Sequence, residues 1–286
     1  MKNETVLKRV AAIHDISGFG KCSLTVALPI LSAAGIETSA LPTAVLSTHT
    51  GGFNGYTYLD MTGEMRPFMN HWKSLDIHFD AIYSGFLGSF EQLDIVTEFF
   101  KEFRTKDTLI MVDPVMADNG ELYKIFTPEF VLGMKELCKK ADIIVPNLTE
   151  ATLLLGEEYN PGPYSKAYIE DLLVKLSALG PKQVVLTGVY FNDEELGAAT
   201  YDKASGKVGY ALAPKIPGFY HGTGDVFASA VLSGLLNGFS LSESTGIAVR
   251  FTANSIQRTH NAQTDVRFGV DFEHGFPELL KELKLV

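Results

Sequence analysis

The stretch "YHGTGDVFASAVLSGLL", Tyr220 to Leu236, sets a threonine between two glycines and follows it with an acid and an apolar run at helical spacing. A glycine turn that opens a helix gathers free backbone N–H groups and the positive end of the helix dipole at one spot, which suits anions. Asp225 places a negative charge in that spot. Taken alone, Gly222 to Asp225 reads as a tight turn with Asp225 capping the helix behind it.

Upstream of this stretch the chain alternates. "RVAAIHD" (9–15), "IETSALPTAVLST" (36–48), "FDAIYSG" (79–85), "TLIMVD" (108–113), "ADIIVPN" (141–147) and "QVVLTG" (183–188) read as strands or extended segments. Between them lie stretches with apolar residues three or four apart: 23–35, 89–103, 127–140 (Thr127 as cap, Pro128 at the first position), 149–156 and 166–180. "LGAATYD" and "KVGYALAP", joined by the turn "KASG", predict a hairpin, and two helices follow from about Val226 and Ser242. Repeated βα units with Val/Ile-rich strands predict an α/β fold: a mostly parallel sheet with helices on both faces. Neither a linker nor a repeat divides the chain, so residues 1–286 are expected to form a single domain.

Bulk properties narrow the function. The 286 residues are 46% hydrophobic with a net charge of −10, which argues against nucleic-acid and membrane-surface partners but not against a small anionic ligand. The two cysteines, Cys22 and Cys138, lie far apart without metal spacing and read as reduced thiols. The charged start "MKNETVLKR" is unlike a signal peptide, and no run approaches a membrane span, so a cytoplasmic location is expected.

In sheets of this kind ligands bind at the carboxyl ends of the strands. Those ends carry Asp15, Ser84–Gly85, Asp113, Asn147, Thr187 and the loop before Asp225. Each has a purely structural reading. Asn147 with Glu150 has the spacing of a capping box, Asp113–Pro114 ends a strand, and Asp118–Asn119–Gly120 is an ordinary turn. Together they say more, because acids gathered at neighbouring strand ends repel unless a cation sits among them. A divalent ion such as Mg²⁺, with carboxylate, water and phosphate ligands, fits that need. Beside an anion-holding turn it points to metal–nucleotide phosphoryl transfer. Other nucleotide signatures fail. "DISGFGKCS" has Asp15 and Cys22 where a P-loop needs glycine and a hydroxyl, the dinucleotide fingerprint lacks its third glycine, and there is no G-x-S-x-G elbow.

In order along the chain, these motifs resemble the vitamin-kinase branch of the ribokinase superfamily, and the pyridoxal kinases within it. "GTGDVFAS" resembles the superfamily's G-[TA]-G-D signature, "VLSTHTGGFNGY" the "FSNHTGY"-like segment of pyridoxal kinases, and "YSGFLGS" their "SGYLGS"-like segment. "DPVMAD" and "VPNLTE" resemble their "DPVMGD" and "PNxxE" motifs. The chain departs from pyridoxal kinases in carrying Asp15 where they often have serine, a feature closer to hydroxymethylpyrimidine kinases. Those enzymes commonly have cysteine where this chain has Asp225, and Phe86 replaces a family tyrosine.

The resemblance implies a ribokinase-like three-layer sandwich and a cytoplasmic transferase of vitamin B6 salvage. It would phosphorylate the CH2OH of pyridoxal, pyridoxine or pyridoxamine with ATP and Mg²⁺, and K⁺ as a candidate monovalent cation, usually as a homodimer. The alternative it leaves is a hydroxymethylpyrimidine or dual-specificity kinase. Residue by residue, it implies Asp225 as general base and Gly222, Thr223 and Gly224 as the anion hole. Asp113 and Glu150 would hold the metal. Asp118, Tyr123, Asn147, Thr187 and Ile216 would contact the nucleotide, and Asp15, His49, Thr50 and Phe86 the substrate. The segment from Asp118 to Tyr123 would form a flap.

Overall fold

In the computed structural model, which describes residues 7–286, a nine-stranded sheet runs through the protein. In chain order its elements are β1 (Lys8–Ser17), α1 (Leu24–Ala33), β2 (Ile36–Leu46), β3 (Tyr58–Asp60), α2 (Thr62–Ser74), β4 (Ala81–Ser84), α3 (Phe90–Phe103) and β5 (Leu109–Val112). A two-stranded ribbon follows, β6 (Ala117–Asp118) with β7 (Glu121–Leu122), and then α4 (Pro128–Cys138), β8 (Ile143–Ile144), α5 (Leu148–Leu155), α6 (Lys166–Leu179) and β9 (Gln183–Val189). The chain closes with β10 (Glu195–Asp202), β11 (Lys207–Pro214), α7 (Thr223–Leu236), α8 (Leu241–Ala262) and α9 (Phe276–Glu282). The charged residues 1–6, weighed above as a non-signal segment, lie outside the described residues.

The strand order is β11-β10-β9-β8-β5-β4-β1-β2-β3. Strands β2, β1, β4, β5, β8 and β9 run parallel, and the expected hairpin of β10 and β11, with β3 at the other edge, adds antiparallel strands. Alternation along each strand builds two cores. Ala11, Ile13, Ile82, Ile110, Val112, Val184 and Leu186 point into the layer of α2 to α6. Val10, Ala81, Tyr83, Met111 and Val185 point into the layer of α1, α7, α8 and α9. The three-layer α/β expectation therefore holds.

Local chemistry accounts for the helix starts. Ser89 caps α3 by accepting from Gln92 N–H, and Leu93, Val96 and Phe100 then bury one stripe. Ser240 and Glu243 form a full capping box on α8. Thr127 stands at the cap position of α4, but its side chain makes no capping bond to the backbone. The reading passed over Tyr58 to Ser74, which forms edge strand β3 and helix α2. Pro67 inside α2 obscures the period, although Met65, Phe68, Met69 and Trp72 turn a helically spaced apolar face to the core; only Met65 and Met69 are buried. Among the described residues no helix is long and apolar enough to cross a membrane.

Candidate active site

The carboxyl ends of the parallel strands bring the expected residues to one edge of the sheet. Asp15 comes from β1, at a bulge where the pairing with β2 shifts between His14 and Ile16. Bulges re-aim side chains in this way. Asp113 follows β5 directly, Asn147 and Glu150 open α5 after β8, Thr187 lies in β9, and Asp225 sits in the first turn of α7.

Helix α7 starts without a side-chain cap. Gly222 occupies the cap position in the left-handed region, φ 75°. A Cβ there would come within 1.9 Å of the Lys21 carbonyl oxygen, so the turn requires glycine both for its backbone and for its close approach to the β1–α1 loop. A Cβ on Gly224 would meet nothing. The reading of Asp225 as the cap does not hold, because it is the third residue of the helix. Its carboxylate therefore stands beside first-turn amides that have no acceptor within the helix.

Glu150 and Asn147 form the capping box as a real structure. Glu150 N–H donates to Asn147 Oδ1 (2.9 Å), and Asn147 N–H donates to Glu150 Oε2 (2.9 Å). Met116 N–H donates to Glu150 Oε1 (3.1 Å), and Asn147 Nδ2 donates to the Ala117 carbonyl (2.8 Å). Asn147 also bridges Thr187 in parallel fashion. The box thus ties α5 to the segment after Asp113. Asp118 lies in the β6–β7 ribbon and accepts from Asn119 N–H (2.8 Å), while Gly120 N–H donates to Thr149 Oγ1 (2.9 Å). Tyr123 follows the ribbon and is exposed, and Ile216 is half-buried against the α7–α8 layer.

The acids perturb one another. Burial pushes the Asp113 carboxyl well up, and Glu150 and Asp225 add to the shift. Glu150 is raised by burial, against the pull of its backbone amides, with Asp118 adding repulsion. Asp118 is raised by burial. Burial pushes Asp225 up to about 7, with the nearby Ser23 backbone opposing the shift and Asp15 adding repulsion. Asp225 is half-buried, so proton exchange with a substrate remains open to it.

The β1 bank of the cleft is built differently. Asp15 is buried and accepts from the Ser23 hydroxyl (2.5 Å) and the Ser17 hydroxyl (3.1 Å); burial raises its pKa against these donors. His49 is buried too. Its Nδ1 accepts from Gly51 N–H (3.1 Å), so Nε2–H donates to the Arg267 carbonyl (2.6 Å). Thr50 beside it is exposed. Phe86 is half-buried, 5.9 Å from the Phe126 ring, with core on one side. Sequence reasoning missed Ser23, Cys22 and Tyr83. Burial raises the Cys22 thiol, with Asp225 and Asp15 adding to it, and burial raises Tyr83, with Asp113 and Asp225 adding to it.

The phosphomethylpyrimidine kinase family model matches residues 31–269. The chain belongs to that family. Within the phosphomethylpyrimidine kinase family, similarity to pyridoxal kinases is extensive. The pyridoxal kinase PdxY of Histophilus somni (strain 2336) is 30% identical over 275 residues, covering 90% of this chain and 91% of that one. The crystal structure of pyridoxal kinase from Lactobacillus plantarum is 33% identical with a TM-score of 0.88, covering 96% and 98%. A Bacteroides thetaiotaomicron VPI-5482 structure named for phosphomethylpyrimidine kinase, in a crystal form with pyridoxal, is 40% identical with a TM-score of 0.92 and covers 96% of each chain. The expected kinship with vitamin kinases and the ribokinase-like fold both stand.

Proposed function

We propose that this chain transfers the γ-phosphoryl group of ATP to the CH2OH of a B6 vitamer, pyridoxal, pyridoxine or pyridoxamine, giving the 5'-phosphate. The observation that carries the reading is Asp225, with its pKa pushed up to about 7, in the first turn of α7 beside the free amides of the Gly222 turn. The 40% identical structure with pyridoxal supports this substrate class.

Asp225 accepts the hydroxymethyl proton as the oxygen attacks phosphorus. A carboxylate tuned near neutral pH is a better acceptor than an ordinary one and is still largely ionised above pH 7. The first-turn amides of Thr223, Gly224 and Asp225 stabilise charge on the transferring group. Asp15 would hold the polar edge of the ring, His49 would orient the segment bearing Thr50, and Phe86 would contact the ring face. Asp118, Tyr123, Asn147, Thr187 and Ile216 would line the nucleotide side, where the β6–β7 ribbon excludes water.

A divalent cation fits these residues. The Asp113 carboxylate is buried beside two other acids, and no hydrogen bond reaches it among the described residues. Asp113 and Glu150 would hold Mg²⁺. Glu150 oxygens already accept backbone amides, and among the described residues no three His, Cys, Asp or Glu side chains close on one point, so water and phosphate would complete the shell. Bound there, the ion would neutralise phosphate charge. K⁺, a homodimer and a cytoplasmic location belong to the same proposal.

The second reading is hydroxymethylpyrimidine phosphorylation, favoured by Asp15 and by the matching family model. The test is ADP production by the purified protein with pyridoxal, pyridoxine, pyridoxamine and hydroxymethylpyrimidine side by side. A kcat/KM for a B6 vitamer well above that for hydroxymethylpyrimidine is expected. The reverse order would select the second reading, and no turnover of any of the four would reject both.

A further inference from the structure

Ser23 stands in a conformation that serine ordinarily avoids. Its backbone lies at φ 52°, ψ −130°, outside the regions open to residues with a Cβ. It is also the cap residue of α1, since Val26 and Ala27 N–H donate to its carbonyl (3.0 and 2.9 Å). A serine at that position normally turns its hydroxyl back onto the helix amides. Here no side-chain cap bond forms, and the hydroxyl instead donates to Asp15 Oδ1 at 2.5 Å. The backbone just before it, at Lys21 and Cys22, packs on Gly222 at the start of the helix that carries Asp225.

The surroundings hold the residue in place. Ser23 is buried. Two residues before it, Lys21 N–H donates to the Phe268 carbonyl (3.2 Å), and Lys21 Nζ reaches the Val270 carbonyl (3.2 Å). The Lys21 carbonyl packs on Gly222 so closely that a Cβ would not fit. A strained backbone persists only where its surroundings over-determine it, and such strain concentrates at functional sites.

We propose that Ser23 is a positioning residue that couples the two banks of the site: its hydroxyl fixes the Asp15 carboxylate, and its strained backbone holds the 21–23 turn against the Gly222 turn that carries Asp225. The distance from ring-holding acid to proton-accepting acid is then set by one residue rather than by two independent loops. This rests on the functional reading above.

The hydroxyl and the backbone can be separated. Ser23→Ala removes the donor to Asp15 and keeps the backbone restriction. Ser23→Gly removes the donor and frees the backbone, because glycine occupies positive φ without penalty. Ser23→Ala is expected to raise KM for pyridoxal about tenfold, as for loss of one hydrogen bond to a charged group, with kcat within about twofold of the parent. Ser23→Gly is expected to show the same KM rise and, in addition, a kcat lower by about tenfold, as misplacement of a catalytic group entails. Its Tm should equal or exceed that of Ser23→Ala, since the strain is relieved. A purely structural serine would lower kcat only in step with Tm. Equal kcat in the two variants, activity that tracks Tm, or parent-like constants in both would overturn the coupling while the parent enzyme's turnover keeps the functional reading intact. No turnover of pyridoxal by the parent protein would overturn both.

Discussion

The two banks of the cleft are made by different means. On the phosphate side, Asn147 and Glu150 are anchored by a local capping box. Residues three apart cap one helix, and their carboxylate and amide hold the segment immediately after the neighbouring strand. On the ring side, Asp15 and Ser23 bond each other, but the loops that carry Ser23 and His49 are braced from far away. His49 bonds the carbonyl of Arg267, 218 residues on, and Lys21 bonds Phe268. The first bank can form as each βα unit forms; the second is complete only when the chain's last segments dock. Rigidity for phosphate chemistry is built into the strand ends, and adjustment to a ring is left to loops braced by the C-terminal segment.

The sharpest way to break this division is at the phosphate bank. Asp225→Asn keeps the shape of the side chain and removes its basicity. It is expected to lower kcat by about 10²–10⁴-fold with little change in nucleotide affinity, measured by ADP release and by calorimetric titration with ADP. Turnover within threefold of the parent would remove Asp225 from the proton-transfer role.

Next in size is the seam between the banks. Gly222→Ala puts a Cβ 1.9 Å from the Lys21 carbonyl oxygen and leaves alanine at φ 75°. The left-handed conformation alone costs about 1–2 kcal/mol, and the clash adds to it. At roughly 2–4 °C per kcal/mol for a chain of this size, Tm should fall by several degrees and kcat with it. An alanine variant with the parent's Tm would mean that the two loops part without cost.

What the sequence made legible follows the same division. The strand ends, the helix starts at Ser89 and Asn147, and the hairpin of β10 and β11 rest on residues within four positions of one another, where period and capping chemistry speak directly. Asn147 and Glu150 were visible as a box; that the box also holds Met116 was not, because the contact spans 34 residues. The cap at Gly222 rather than Asp225 escaped notice because the need for glycine arises from Lys21, two hundred positions away. Ser23 was invisible for the same reason. As a serine before an apolar run it looks like an ordinary helix cap, and only the packing shows its hydroxyl turned elsewhere.

A smaller effect is expected at the ring bank. His49→Ala removes both the bond to Arg267 and the acceptor for Gly51. The loop bearing Thr50 loses its brace, so KM for pyridoxal should rise about tenfold, a change worth roughly 1.4 kcal/mol, while kcat changes little. Initial-rate measurements separate the two constants. A fall in kcat with KM unchanged would place His49 with the chemistry instead of with binding.

The smallest effect concerns His14, which lies under the seam with its ring 4.3 Å from that of Tyr83 and both nitrogens without partners among the described residues. Burial lowers its pKa to about 3. Unfolded, the ring takes up a proton near pH 6.5; folded, it stays neutral down to about 3. The unfolded state therefore binds more protons across that window, and stability falls as the pH falls through it. Between pH 7 and pH 6 the loss from this one group is roughly 0.7 kcal/mol. Asp225 and the other acids with raised values work in the opposite direction, so the net slope mixes both signs and must be compared between proteins. His14→Gln removes the titration and leaves the acids. Urea unfolding at the two pH values should show the parent losing about that much more stability than the variant on acidification. Identical pH dependence in the two proteins would mean that the ring takes up a proton as readily in the fold as in the unfolded chain, with a buried partner or water that changes the electrostatics of the whole seam.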